Sequence, residues 1–264
     1  MPRRSRRLSR HSLPGSAPPA PRWVWSPEHA CYRPRMNGAE ILLPDTLSTP
    51  AYAKVPTGAR RGMVVIHELF EHAPEIDAVV DRFAGRGYAA CAPRLFAHGQ
   101  LACIRAVFGA LSSGKPIPQT EIAVAARAWL CEQAALTDAQ VGIIGFCFGG
   151  SFALLAGAGF GAVSTNYAQV PPAQAMQGIG PVIGCYGGRD LSSRGLDDKL
   201  RSRLALVGVQ AETHVIPGAG HSFLTNGHHP IASTLSWPVM RVKYDSALAD
   251  SGWEKIDAFF DRTL

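Results

Sequence analysis

The stretch Val141-Gly142-Ile143-Ile144-Gly145-Phe146-Cys147-Phe148-Gly149-Gly150 limits what this chain can fold into more than any other. It reads as a short buried strand, a very tight turn and the start of a helix continuing through Ser151-Phe152-Ala153-Leu154-Leu155. The turn has the pattern Gly-x-Cys-x-Gly-Gly, a nucleophile elbow with Cys where Ser is usual. The Cys must sit in a strained backbone between strand and helix. Side chains two places before and two places after it would collide, and Gly145 and Gly149 occupy those places. The sulfur is then expected at the carboxyl end of a strand and at a helix N-terminus, where free N–H groups and the helix dipole favour a thiolate. The plain alternative is a buried structural Cys beside a Gly-rich turn.

The chain has 264 residues, enough for one large α/β domain with an appendage or for two small domains. No run of eighteen apolar residues is present, so no transmembrane helix is expected. The formal net charge is +6, but residues 1–35 hold eight Arg and one acid, Glu28, giving +7. The rest of the chain is therefore +6 − 7 = −1, which argues against nucleic-acid binding by the body. The six Cys (31, 91, 103, 131, 147 and 185) form no CxxC pair. That spacing predicts neither a disulfide framework nor a zinc site, and fits a reducing, cytoplasmic setting with one reactive thiol. Residues 1–35, rich in Arg, Pro and Ser, read as a disordered extension, with Met36 as the expected start of the folded body. Ser5-Arg6-Arg7-Leu8 hints at an export signal, but no apolar region follows it.

From residue 36 onward, apolar runs alternate with helical patterns. Residues 41–44 and 51–56 read as a hairpin, and Gly62–His67 as a strand buried on both faces. A helix carrying Ile76, Val79, Val80 and Phe83 follows, then a strand at residues 88–92. Residues 94–116 read as irregular cover over a pocket. A helix over 118–135 precedes the elbow. Later strands are expected at 161–165, 181–186 and 212–216, with helices over 196–208 and 244–262. This alternation predicts an α/β fold with a mostly parallel sheet and helices on both faces.

A nucleophile of this kind needs an acid and a base, which follow it in chain order. Asp190, in Gly187-Gly188-Arg189-Asp190, and His221, in Ala219-Gly220-His221-Ser222-Phe223, each come just after a strand. Strand carboxyl ends are where open α/β sheets build their sites. Asp197 or Asp198 are alternative acids, leaving Asp190 as a helix cap, and His228 and His229 are neighbouring histidines that follow no strand. In this reading His221 takes the Cys147 proton and Asp190 holds the imidazole. The backbone N–H groups of Phe148 and Leu69 would receive the oxyanion.

From about residue 38 to the end, the chain resembles the dienelactone hydrolase family of the α/β-hydrolase fold, whose type member is a carboxymethylenebutenolidase. The resemblance rests on His67-Glu68-Leu69-Phe70, Gly87-Tyr88-Ala89-Ala90, Ala92-Pro93-Arg94-Leu95-Phe96, Gly145–Gly150, Tyr186–Asp190 and Gly220–Phe223. It implies hydrolysis of carboxylic esters or lactones through a thioester, with a Cys147-His221-Asp190 triad and no cofactor or metal. It also implies that Glu68 pairs with the Cys147 thiol and helps control its ionisation. A carboxylate directly after an apolar strand independently suggests a partner or a task. Phe70, Phe223 and His98 are expected to line the substrate pocket. Family members that act on dienelactone grip its carboxylate with two Arg. The matching positions here are His98 and Thr225, with Arg94 or Arg189 as conceivable substitutes. At about 1.5–3 kcal/mol per charge-assisted hydrogen bond, losing both predicts a drop of roughly 10²–10⁴ in kcat/KM for that substrate. Three other readings compete: a non-catalytic ligand- or partner-binding member of the fold, a thiol redox protein using Cys185, and nucleic-acid binding by the Arg-rich segment.

Overall fold

The apolar runs of the sequence become strands because each is too short for a helix and can be covered on both faces. The structure, a computed structural model, describes residues 38–69, 73–226 and 238–264. The expectations for residues 1–35, for Met36 and for Phe70, His228 and His229 fall outside them. The described strands are β1 (Ala39–Leu42), β2 (Pro50–Lys54), β3 (Arg61–Ile66), β4 (Tyr88–Pro93), β5 (Val141–Phe146), β6 (Ala162–Asn166), β7 (Val182–Gly187) and β8 (Ala211–Ile216). They form an eight-stranded sheet in the order β1-β2-β4-β3-β5-β6-β7-β8. β1 and β2 form the antiparallel hairpin, β2 meets β4 antiparallel, and every pairing from β4 to β8 is parallel. β4, β5, β6 and β7 are buried along their whole length, as central parallel strands require.

Helices cover both faces. On one face α1 (Ala73–Gly85) and a C-terminal helix, α6 (Ser246–Thr263), pack Val79, Val80, Phe83, Trp253, Ile256 and Phe260 against the sheet. The other face carries α2 (Gln100–Ser113), α3 (Thr120–Ala134), α4 (Phe148–Ala156) and α5 (Leu196–Ala205). Asp245 caps α6 by accepting the N–H groups of Ala247 and Leu248.

One expectation fails. Residues 94–116 are not irregular: α2 occupies most of the segment and ends on Gly114 in the left-handed conformation. It buries Cys103, Val107 and Ala110 while Leu101 and Phe108 stay exposed. The helix thus has apolar residues on two sides and only Arg105 as a charge, so its sequence lacks the polar–apolar contrast that reveals a surface helix. Among the described residues, no helix is long and apolar enough to cross a membrane.

Candidate active site

β5 ends in the middle of the sheet, and the turn after it is as tight as its glycines imply. Cys147 has φ 52° and ψ −115°, a conformation an L-residue keeps only when its surroundings enforce it. A Cβ on Gly145 would lie 2.0 Å from Gly149 O, and one on Gly149 would lie 2.3 Å from His67 O. Both positions therefore exclude a side chain, and the second shows how closely the turn sits against the end of β3. The turn is also tied sideways to β6: Cys147 N donates to Asn166 O at 2.9 Å, and Asn166 Nδ2 donates to Gly145 O at 3.0 Å. Gly150 N and Ser151 N donate to Cys147 O. The first N–H groups of α4, starting with that of Phe148, have no acceptor one helical turn earlier.

Asp190 and His221 meet beside this turn. His221 Nδ1 lies 2.7 Å from Asp190 Oδ2, and both residues are buried. Asp190 also caps a short helical turn, so it fills the cap role and faces the imidazole as well. Ser192 N and Ser192 Oγ donate to its Oδ1, and Ser193 Oγ donates to its Oδ2. Burial works against its charge, but the His221 contact and these serine bonds outweigh it and hold the carboxyl below its ordinary range. The His221 ring is pulled both ways. Burial disfavours the imidazolium, while the Cys147 sulfur, followed by Asp190, favours it strongly enough to raise the ring well above its ordinary value. Asp197 and Asp198, the alternative acids, are instead engaged by Arg201 on the surface of α5.

Glu68 follows β3 and enters a cradle of hydroxyls. Tyr167 and Thr225 donate to its Oε1 at 3.1 and 3.0 Å, and Ser222 donates to its Oε2 at 3.0 Å. These three hydroxyls hold the carboxylate that the family resemblance pairs with the Cys147 thiol. Tyr167 stays a protonated donor, because burial and then the Glu68 charge push its ionisation well above the ordinary phenol range. Glu75, in the first turn of α1, feels the same charge: burial first and Glu68 second push it up to about 7.

The side chains named for the pocket are placed as follows. Phe223 is completely buried, packing its ring 5.8 Å from Tyr167 in the core shared with α6. Ser222 adopts φ 54°, so the chain turns there, Ser222 reaches Glu68, and Phe223 enters the core. His98 is exposed and lies 3.2 Å from Thr49 Oγ1, just before β2 and three places from β5 in the sheet. Arg94 binds Asp77 and Glu40. Cys185 lies fully buried in β7 with its thiol pushed up to about 12 by burial, which makes it a poor redox partner. Leu69 is half-buried, and Phe148 packs its ring beside Phe96 and Phe108.

Sequence reasoning missed Tyr167, Ser192 and Ser193, and it gave Ser222 and Thr225 no partner. Tyr167 sits one residue past β6, at the same sheet edge as Cys147, so position alone could have nominated it. Asp190-Leu191-Ser192-Ser193 has the spacing of a capped turn; the sequence offered the cap only as an alternative to the acid role, whereas Asp190 does both.

Comparison with known proteins agrees with this architecture. The dienelactone hydrolase family profile matches residues 49–264. A carboxymethylenebutenolidase from Rhodococcus opacus is 26% identical over 242 residues, covering 81% of this chain and 85% of that protein. Among solved structures, a dienelactone hydrolase-like promiscuous phosphotriesterase from metagenomic libraries superposes with a TM-score of 0.67 at 20% identity. That match covers 86% of this chain and 98% of the other, and at this identity it speaks for the fold. The α/β-hydrolase sheet with its elbow, together with the profile over most of the chain, places this protein in the dienelactone hydrolase family, whose members hydrolyse carboxylic ester or lactone bonds.

Proposed function

We propose that this chain hydrolyses uncharged carboxylic esters or lactones through a thioester on Cys147. The observation that carries the reading is the 2.7 Å contact of His221 Nδ1 with a buried Asp190, with the ring electrostatically coupled to the Cys147 sulfur. His221 takes the thiol proton on Nε2 as sulfur attacks the substrate carbonyl carbon. The carbonyl π electrons move to oxygen, and the N–H groups of Leu69 and Phe148 receive that charge. Collapse of the intermediate breaks the C–O bond, and the imidazolium protonates the leaving alkoxide. Water then attacks the thioester, His221 accepts its proton, and the acid leaves as the thiol is restored. Asp190 holds the imidazole tautomer and balances its charge. Glu68, held by three hydroxyls, adds a fixed negative charge beside the nucleophile.

Two observations favour an uncharged substrate. Thr225 spends its hydroxyl on Glu68, and His98 turns to Thr49, so neither supports an anion-binding pair. A reducing compartment such as the cytoplasm suits a mechanism that depends on a free thiol.

The test is turnover of a short-chain aryl ester, a neutral lactone and a carboxylate-bearing dienelactone by wild type and Cys147→Ala. Cys147-dependent turnover of the neutral compounds, with dienelactone at least 100-fold poorer, is expected. Efficient use of the dienelactone would overturn the neutral-substrate reading. Equal activity in Cys147→Ala would overturn the mechanism, and no turnover at all would shift the balance to a non-catalytic member of the fold.

A further inference from the structure

His67 is fully buried directly after β3 and takes no part in the chemistry described above. Leu95 N lies 3.2 Å from its Nε2, and the backbone oxygen of Glu68 lies 2.8 Å from its Nδ1. These contacts fix the tautomer. A backbone N–H can only donate, so Nε2 is the bare acceptor and the ring proton sits on Nδ1. Nδ1 therefore donates to the Glu68 carbonyl. That carbonyl belongs to the peptide unit whose N–H is that of Leu69, and in a planar trans peptide C=O and N–H point in opposite directions. Fixing the oxygen from one side aims the Leu69 N–H to the other. A bond to the carbonyl also polarises the unit and strengthens the N–H as a donor. The ring itself is held at both ends, by Leu95 N and by an edge-on contact with Phe96 at 4.6 Å. The elbow presses on the same backbone, since a Cβ on Gly149 would strike both His67 O and Ile66 O.

We infer that His67 is a positioning residue that locks the Glu68–Leu69 peptide so that the Leu69 N–H faces the developing oxyanion. The inference rests on the proposed role of Leu69 as an oxyanion donor. It separates two functions of the ring that two substitutions can take apart. In His67→Asn, the side-chain amide nitrogen can occupy the place of Nδ1 and keep the bond to Glu68 O, while the acceptor for Leu95 N is lost. In His67→Gln, the longer amide can reach Leu95 N, while the donor next to Glu68 O is lost.

The experiment measures kcat and KM for a neutral aryl ester in wild type and both variants. Rates are expressed per folded molecule, with the folded fraction taken from circular dichroism and thermal melts, and Cys147 alkylation by iodoacetamide is followed by mass spectrometry of its peptide. Alkylation needs no oxyanion hole, so its rate constant should match wild type in both variants. Asn is expected to keep kcat within about fivefold, and Gln to lose roughly 10²-fold in kcat with KM nearly unchanged, as removal of one oxyanion donor does. The reverse order, or equal losses, would show that His67 only anchors Leu95 and would overturn the inference. A parallel loss of alkylation in the Gln variant would also overturn it, by placing the effect on the thiol. Cys147-independent turnover by wild type would overturn the underlying mechanism and this inference with it, whereas a Gln variant as active as wild type would overturn this inference alone.

Discussion

Glu75 offers a stability test that depends on none of the proposed chemistry. It lies in the first turn of α1, where the helix dipole ordinarily favours a carboxylate. Burial and the Glu68 charge nevertheless push it from the ordinary 4.5 up to about 7. The folded protein therefore binds this proton more tightly than the unfolded chain does. Its stabilising effect is complete below about pH 4.5, fades as the pH rises, and is gone above about pH 7. At 1.36 kcal/mol per pH unit, that interval corresponds to roughly 3 kcal/mol. The carboxyl is partly open to water, which screens it, so about 1–2 kcal/mol is the better expectation. Glu75→Gln keeps the shape and removes the charge. At pH 5 its Tm should nearly match wild type, whereas at pH 8.5 it should be higher by about 2–8 °C. Glu68→Gln alone, with Glu75 in place, should move the step in stability towards acid, because one of its two causes is gone. Thermal melts across pH 4.5–9 measure all of this. A Tm gain of equal size at pH 5 and pH 8.5 would refute the reasoning, since it would reflect packing or helix propensity rather than a titrating group.

Asp190→Asn should leave the fold intact but lower kcat by about 10³–10⁴, because an amide can hold His221 in the wrong tautomer, and steady-state kinetics with a melt would show both. Asp190 also supports stability above about pH 4, and that support is lost as the pH falls through its depressed folded value. Acid unfolding of wild type should therefore steepen below pH 4 relative to the Asn variant. Phe223→Ala should cost about 3–5 kcal/mol and lower Tm by roughly 6–20 °C in a thermal melt, since the ring is core and not pocket lining. Removing residues 1–35 should leave kcat and Tm nearly unchanged, as the described contacts that build the site come from residues 66–240.

The sheet was legible because its central strands are buried on both faces, and only a continuous apolar run satisfies that. Val141–Phe146 and Val182–Gly187 show this in their letters alone. The turn at Cys147 was legible for a harder reason: both flanking glycines leave no room for a single added carbon. The Asp190–His221 contact could be read because each residue lies in the loop shortly past a parallel strand. α2 could not, because its exposed side is almost as apolar as its buried side. Phe223 was misread because the backbone reverses at Ser222, and no residue letter announces a positive φ at a serine. The Glu68 cradle was hidden for a related reason. Its three hydroxyls come from residues 167, 222 and 225, which only the folded sheet brings within reach of residue 68.

Backbone strain ties these observations together. Among the described residues, Cys147, Tyr167 and Ser222 all have positive φ without being glycine, and each follows the carboxyl end of a parallel strand. Each such residue costs on the order of 1–3 kcal/mol, a cost the burial of the central strands can offset. What the strain secures differs at each position. At Cys147 it holds the sulfur at the start of α4; at Tyr167 and Ser222 it brings hydroxyls onto Glu68. A fold under selection for stability alone would have placed Gly or Asn at all three. The presence of a thiol, a phenol and a hydroxyl where backbone conformation disfavours them fits the proposed joint role of Glu68 and Cys147. It also separates Cys147 from Cys91, Cys103 and Cys185, whose thiols burial raises to about 12, 11 and 12. Those three are packing residues, while Cys147 is half-buried at a strained turn beside an imidazole whose charge its own sulfur favours.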